Sequence, residues 1–175
     1  MTFEDRHDIY NILRNGDVRR PFGLFEEIGF GKSAVTGWCK LAAEFNAASR
    51  SIDKFYVIKN GPDTIGYFGA GPDEEDPGRW EIGYFLDHRY QGNGIVSHIV
   101  ADFVKEARRK PEIHTLYAVV KPDNHASQSL LEKAGFVRNG VDNDWTPVVY
   151  HQDGQSRKTP PIKNKMNLFE LRFRR

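Results

Sequence analysis

The chain has 175 residues, of which 39% are hydrophobic and 13% aromatic, so its length and apolar content predict one domain, residues 1–175, with its own core. The formal net charge of +1 gives no electrostatic reason to expect nucleic-acid or membrane-surface binding, and no apolar run approaches the roughly 18 residues of a membrane span. The N-terminal residues lack the apolar segment of a signal peptide, and the single cysteine, Cys39, fits a reducing compartment, so we expect a cytoplasmic protein.

The first half of the chain is predicted to contain two helices and then a β-hairpin. Thr2 and Asp5 have the spacing of a capping box, so a helix follows them, with Asn15-Gly16 at its end. Glycine, proline and acidic residues mark the loops and the hairpin turn. After the first helix, we expect a loop over 21–31, a helix over 33–49, strands over 55–58 and 64–68 joined by a turn over 61–63, and a loop over 69–78.

Strands and helices alternate in the second half. An apolar strand leads through a glycine turn into an amphipathic helix, and a further strand precedes a helix that begins near Asn124 and ends at Gly135. In chain order, we expect a strand over 80–86, a helix over 95–107, a strand over 113–120, a helix over 124–134, a strand over 145–150, a loop over 151–164 and a terminal strand over 167–173. This order predicts an α/β (α+β) domain with a mixed sheet and helices on its faces.

The strand, glycine turn and helix start over 80–95 have the form of a phosphate-binding segment. Unpaired amides and the helix dipole favour an anion at a helix N-terminus. Three motifs compete for the glycines. Gly92 and Gly94 fit the first two positions of a dinucleotide fingerprint, but Ser97 occupies the third. Residues 31–33 end like a Walker A loop, but the first glycine of that motif is missing.

A third pattern, Arg/Gln-x-x-Gly-x-Gly/Ala after a central strand, matches the hexamer over 89–94. A second segment, over 124–136, has an Asn, a Ser three residues later, and Gly-Phe at eleven and twelve. Together these segments resemble the GNAT superfamily of acyl-CoA-dependent N-acetyltransferases, and most closely its branch of ribosomal-protein N-terminal acetyltransferases. The resemblance implies a mixed, largely antiparallel twisted sheet that is splayed at its central strands, with flanking helices.

The resemblance also implies acetyl-CoA as the co-substrate. Phe85 and Leu86 lie where the family's central strand pairs with the pantetheine arm, and the Leu86 amide is placed to polarise the thioester carbonyl. Asn124 is implied to hydrogen-bond the same arm, or else to cap its helix. Arg89 is implied to add a cation at the diphosphate, or else to be a surface arginine. The residues implied to bind the pyrophosphate through their backbone amides are Gln91, Gly92, Asn93, Gly94, Ile95 and Val96.

Attack by an amine on a thioester requires a base for the amine proton and a donor for the leaving thiolate. Glu81 is the one acid inside an apolar strand, so burial is expected to strengthen it as a base, unless the strand presents it to solvent. Asp142 and Asp144 are the alternative bases. Many family members place a Tyr seven residues after the Asn, where this chain has Leu131. The ribosomal branch implies Ser127 as the acid instead.

Tyr84 and Tyr117 are further candidate donors, and the Glu that the ribosomal branch can carry after Gly-Phe corresponds to Thr146 here. These departures leave two alternatives open, namely a CoA-binding sensor or pseudoenzyme and a transferase for another acyl-CoA. The acceptor is expected to be an amine-bearing small molecule, including an aminoglycoside-like polyamine, or a peptide N-terminus, and the protein a monomer or homodimer. The six histidines show no metal-binding spacing, so no metal is expected.

Overall fold

A group of helices precedes the sheet in this chain. The computed structural model describes residues 1–27, 29–48, 55–73, 75–142, 148–150, 156–158 and 166–173. The backbone N–H and hydroxyl of Thr2 donate to the Asp5 carboxylate at 2.7 and 3.0 Å, which confirms the predicted capping box. The helices that follow are α1 Arg6–Leu13, α2 Gly16–Phe22, α3 Leu24–Glu27 and α4 Lys32–Ala48.

The loop predicted over 21–31 is wrong in its first part, because α2 runs through Pro21 and α3 follows it. The Asn15 side chain accepts a hydrogen bond from a backbone N–H of the first turn at 2.9 Å and so begins α2. Pro21 lies one residue before the end of α2, so the helix loses only one hydrogen bond there. Phe22 then packs edge-on against Phe85, with ring centroids 4.9 Å apart, and anchors α2 on the sheet.

The main sheet has six strands and a gap at its centre. After α4 the chain contains β1 Phe55–Asn60, β2 Asp63–Pro72, β3 Arg79–Leu86, α5 Ile95–Arg108, β4 Thr115–Val120, α6 His125–Lys133, β5 Val137–Asp142, β6 Val148–Tyr150, β7 Ser156–Lys158 and β8 Met166–Arg172. The strand order is β1-β2-β3-β4-β8-β5, and among these described strands only β3 and β4 are parallel neighbours. They pair where residues 79–81 face 115–117 and then separate. This confirms the predicted mixed, largely antiparallel sheet that is splayed at its central strands.

Three strand predictions need correction. β5 was not predicted, because its side chains are mostly exposed and carry no alternating pattern, and it is held by backbone pairing with β8. β2 continues to Pro72, inside the loop predicted over 69–78. β7 lies inside the loop predicted over 151–164 and pairs with β6. Of the strand predicted over 145–150, residues 145–147 lie outside the described residues.

Buried side chains form two clusters on the two faces of the sheet. One cluster lies under α5 and contains Phe68 and Ile82, and the other lies under the N-terminal helices and contains Tyr67 and Phe85. Full burial of one large apolar side chain stabilises the fold by about 1.5–3 kcal/mol. Because side chains alternate along a strand, successive residues of β2 and β3 face either α5 or the N-terminal helices.

Candidate active site

A tight turn connects β3 to α5 and is tied to the sheet at both ends. The Asp87 N–H donates to the Ile65 carbonyl at 2.8 Å. The Asp87 carboxylate accepts the Arg89 N–H at 3.0 Å and the Arg89 guanidinium at 2.7 Å. These hydrogen bonds from Arg89 hold the pKa of Asp87 below its usual value. The Gln91 side chain donates to the Leu86 carbonyl at 2.9 Å, which fixes the start of the glycine segment against the end of β3.

Two glycines in this turn adopt a conformation that other residues rarely take. Gly92 and Gly94 have φ of +77° and +74°. A Cβ at Gly92 would meet no atom within 4 Å, and a Cβ at Gly94 would meet only the His98 ring. The amides of Ile95 and Val96, in the first turn of α5, have no acceptor within the helix, and this turn contains no acidic residue. The turn therefore presents backbone donors and the positive end of a helix dipole to open space.

A groove of about 700 Å³ runs from this turn to the N-terminal end of α6. Arg89 and Asn93 are not among the residues that line it. The Arg89 guanidinium pairs with Asp87, and the Asn93 side-chain amide donates to the Tyr90 carbonyl at 3.2 Å. For each residue that the sequence predicted to bind acetyl-CoA, this role stays a prediction. Those that line the groove are Phe85, Leu86, Gln91, Gly92, Gly94, Ile95, Val96 and Asn124.

A second cavity, of about 180 Å³, lies between the sheet and helices α2 and α4. Glu81 lines this cavity, whereas Tyr84, Asn124 and Ser127 line both the cavity and the groove. The Asn124 side chain accepts the Ser127 N–H at 3.2 Å, so Asn124 caps α6 and holds Ser127 at the start of the helix. The two spaces therefore meet where β3 and β4 separate.

The Tyr84 hydroxyl lies at this junction, and its oxygen is buried without a hydrogen-bond partner among the described residues. Burial raises the pKa of Tyr84 to about 12, and the neighbouring Ser127 side chain offsets part of the rise. An unsatisfied buried hydroxyl costs about 1–3 kcal/mol, so a ligand group that accepts its hydrogen would be favoured. Leu131, at the position of the family tyrosine, is fully buried in the core. The sequence predicted Tyr84 only as a further candidate proton donor, because a sequence pattern does not show whether a side-chain oxygen has a hydrogen-bond partner.

Glu81 is half-buried at the edge of the cavity, beside a polar cluster. The Tyr117 hydroxyl donates to Asp73 Oδ2 at 2.9 Å and lies 3.5 Å from Glu81 Oε2. Burial raises the pKa of Tyr117, and the charges of Glu81 and Asp73 raise it further. The Arg79 guanidinium lies 3.9 Å from the centre of the Tyr117 ring. Tyr117 is therefore a protonated donor that faces carboxylates, and the catalytic role of Glu81 stays a prediction.

The other residues considered for catalysis lie elsewhere. Asp142 is the last residue of β5 and lines neither space, whereas Asp144 and Thr146 lie outside the described residues. In the part of the chain that the structure describes, no group of three or more His, Cys, Asp and Glu side chains is arranged to hold a metal ion. Among the described helices, none combines the length and the apolar character needed to cross a membrane.

The fold and the site define a domain that can hold a phosphate-bearing ligand along a splayed sheet, next to a second cavity. A family model described as an acetyltransferase (GNAT) domain matches residues 1–137. The chain therefore belongs to the GNAT acetyltransferase family, as its two motifs predicted.

Curated relatives agree with this membership. The chain is 28% identical over 143 residues to the uncharacterized N-acetyltransferase YoaA of Bacillus subtilis (strain 168). The aligned region covers 81% of this chain and 78% of YoaA. It is 42% identical over 60 residues to the probable N-acetyltransferase YjcK of the same organism, but this match spans only 34% of this chain and 33% of YjcK. The ribosomal protein uS5 alanine N-acetyltransferase of Escherichia coli (strain K12) is 29% identical over 76 residues, 43% of this chain and 37% of that protein.

Solved structures share the fold at low identity. The aminoglycoside acetyltransferase AAC(6')-Ib in complex with coenzyme A has a TM-score of 0.70 and 18% identity, over 98% of this chain and 91% of that chain. RimL, a ribosomal L7/L12 α-N-protein acetyltransferase in complex with coenzyme A, has a TM-score of 0.70 and 14% identity, over 98% of this chain and 90% of that chain. Ribosomal-protein acetyltransferases are thus among both the relatives and the structural neighbours, which confirms the predicted resemblance.

Proposed function

We propose that this protein is an N-acetyltransferase that moves the acetyl group of acetyl-CoA directly to a primary amine. The observation that carries the proposal is the meeting of the groove and the cavity where β3 and β4 separate. Direct transfer requires two ligands whose reacting atoms are held close together in a fixed orientation. The larger space suits a long phosphate-bearing donor, and the smaller one suits an amine.

The groove side is assigned to the donor. Acetyl-CoA, when bound, supplies an activated acetyl thioester. Backbone amides over 91–96 are assigned to its pyrophosphate, since the positive φ of Gly92 and Gly94 and the open space above them let a ligand approach the backbone. Beyond Glu81, the edge of β3 that faces β4 has no ladder partner among the described residues. That free edge supports the assignment of Phe85 and Leu86 to the pantetheine arm, with the Leu86 amide at the thioester carbonyl.

The cavity side is assigned to the acceptor. In the transfer, the amine nitrogen bonds to the acetyl carbon, the carbon–sulfur bond breaks, and the amine loses one proton while the sulfur gains one. Glu81 is assigned as the base for the amine proton, because its carboxylate lines the cavity. Ser127 is assigned as the donor to the departing sulfur, with the Tyr84 hydroxyl beside it as a second candidate.

Thiol release from acetyl-CoA across a panel of amines and peptides tests the proposal. Glu81→Gln should lower kcat by about 10²- to 10⁴-fold, as expected for loss of a general base, with the acetyl-CoA Kd from calorimetry unchanged. Asp142→Asn makes the same chemical change at an alternative acid outside both spaces and should keep kcat. A loss in Asp142→Asn without a loss in Glu81→Gln would move the base to Asp142.

A CoA-binding sensor or pseudoenzyme is the second candidate, favoured by the fully buried Leu131 at the position of the family tyrosine. Tight binding of CoA with no turnover of any amine, and no effect of Glu81→Gln, would support it. A transferase for another acyl-CoA would use the same groove, and the kcat/KM values for acetyl-CoA and propionyl-CoA distinguish the two. The acceptor is proposed to be a small amine or a peptide N-terminus. The protein is proposed to be a monomer or a homodimer, and light scattering distinguishes these two states.

A further inference from the structure

The floor of the 180 Å³ cavity is made of glycine. In the pairing of β2 with β3, Tyr67 faces Phe85, Gly69 faces Gly83, and Gly71 faces Glu81. These pairs share the sheet face that lies under the N-terminal helices. A Cβ at Gly71 or Gly83 would meet no atom within 4 Å. At Gly69 the Tyr67 phenol fills the space that a Cβ would need, so the open part of the floor lies at Gly71 and Gly83, between the Tyr67 ring and the carboxylate of Glu81.

The walls of the cavity are aromatic. Trp38 of α4 is the centre of the wall, with its ring centroid 4.9 Å from Tyr67, 6.3 Å from Phe22 and 6.5 Å from Phe55. Phe45 extends the wall, 5.3 Å from Phe55. Neighbouring rings at these separations favour a further apolar or aromatic group packed edge-on or offset against them. The cavity therefore offers its ligand an apolar contact surface.

The charge in the cavity lies at one end. Among the described residues that line it, Glu81 is the one ionisable carboxylate. A single ammonium group can reach Glu81, but each further ammonium of a polyamine would find no second carboxylate among the described lining residues. The ring faces would attract it by only about 0.5–2 kcal/mol, which is less than the cost of burying an unpaired charge. An apolar cavity of about 150 Å³ can hold benzene, so a cavity of about 180 Å³ has room for one ring and a short chain.

Resting on the proposed function, we propose that the acceptor is a monoamine whose primary amine is joined by a short aliphatic chain to one aromatic ring. The ring would pack over the glycine floor against Trp38, and the amine would lie at Glu81, near the junction with the groove. The product is the corresponding N-acetyl amide, and the displaced thiol leaves with one proton. The same chemistry occurs in a small arylalkyl amine and in a peptide that begins with an aromatic residue.

The experiment compares kcat/KM for 2-phenylethylamine, ethylamine, spermidine and a peptide amide that begins with Phe, at saturating acetyl-CoA. We expect 2-phenylethylamine to exceed ethylamine and spermidine by at least about tenfold, the effect of a few methylenes in an apolar site. The ratio for the peptide against 2-phenylethylamine shows which source of the ring the cavity accepts. A preference for spermidine, or equal values for all the amines, would overturn the proposal while the transferase assignment stands.

Gly83→Val places a side chain over the open floor, at a position where a Cβ would meet no atom within 4 Å. It should lower the ratio of 2-phenylethylamine to ethylamine turnover by about 10- to 200-fold. Gly37→Ala, also next to open space but outside the cavity lining, should keep the ratio. An unchanged ratio in Gly83→Val would overturn the proposal.

Binding is measured separately from turnover, by quenching of Trp38 fluorescence with 2-phenylethylamine and with Trp38→Phe as the reference. Quenching without turnover of any amine would remove the transferase function but keep the cavity as a site for aromatic amines. If neither quenching nor turnover were observed, both the transferase function and the aromatic-amine site would be refuted.

Discussion

Gly94→Ala tests whether the turn before α5 binds the cofactor. Gly94 has φ of +74°, and a Cβ there would meet only the His98 ring, at 3.5 Å. Because the space is open, the substitution acts mainly through the backbone, and a non-glycine residue in the left-handed region costs about 1–2 kcal/mol. In a chain of this length, each kcal/mol lowers Tm by about 2–4 °C, so we expect a loss of about 2–8 °C.

The effect of Gly94→Ala on acetyl-CoA binding should exceed its effect on stability. In the proposed complex, backbone amides over 91–96 donate to a charged pyrophosphate, and each hydrogen bond to a charged group contributes about 1.5–3 kcal/mol. Loss of one such bond, by misalignment or by the new Cβ, corresponds to a Kd about 10- to 150-fold higher. Calorimetry with acetyl-CoA measures the Kd, and a thermal scan without ligand measures the strain.

Gly61→Ala is the matched control for backbone strain. Gly61 has φ of +60°, a Cβ there would meet no atom within 4 Å, and it lies in the turn between β1 and β2, outside the lining of both spaces. The control should lose about the same Tm and keep the wild-type Kd. If Gly94→Ala weakened acetyl-CoA binding no more than Gly61→Ala does, the assignment of this turn to the pyrophosphate would be refuted.

Three further predictions concern groups that the structure buries or pairs. Ser127→Ala removes the assigned donor to the departing sulfur and should lower kcat by about 10²-fold with little change in the acceptor KM; a loss in Tyr84→Phe without a loss in Ser127→Ala would move the donor to the unpaired Tyr84 hydroxyl at the junction. Hydrogen bonds from Arg89 hold the pKa of Asp87 below its usual value, so the stabilisation is present above about pH 4 and is lost as the pH falls through the lower, folded-state pKa. Asp87→Asn should therefore show a shallower fall of Tm below about pH 4 than the wild type, and parallel curves from thermal scans would contradict this reasoning. Burial raises the pKa of Cys39 to about 12 and leaves its side chain without solvent contact. Its thiol should react with Ellman's reagent at pH 8 only as fast as the protein unfolds, whereas rapid labelling in the absence of denaturant would show that the helix layer over Cys39 opens readily.

Local features of the sequence were sufficient to predict the segments that carry the site. The apolar run of β3, the two glycines of the turn and the helical spacing of α5 each depend on residues a few positions apart, and the structure confirms all three elements. The same holds for α6, which Asn124 caps at one end and which Gly135, with φ of +92°, follows at the other. Local patterns failed at Pro21, which lies one residue before the end of α2 and so costs the helix only one hydrogen bond, while Phe22 packs on the sheet.

By itself, then, the sequence determined the family and the glycine turn before α5, because dihedral preference and hydrophobic period are properties of neighbouring residues. Only the tertiary structure decided which groups face which space. It paired Arg89 with Asp87, left the Tyr84 hydroxyl unpaired at the junction, and set the glycines of β2 and β3 under the aromatic rings of the N-terminal helices. These outcomes depend on strand register and on packing between segments far apart in the chain, which no local pattern records.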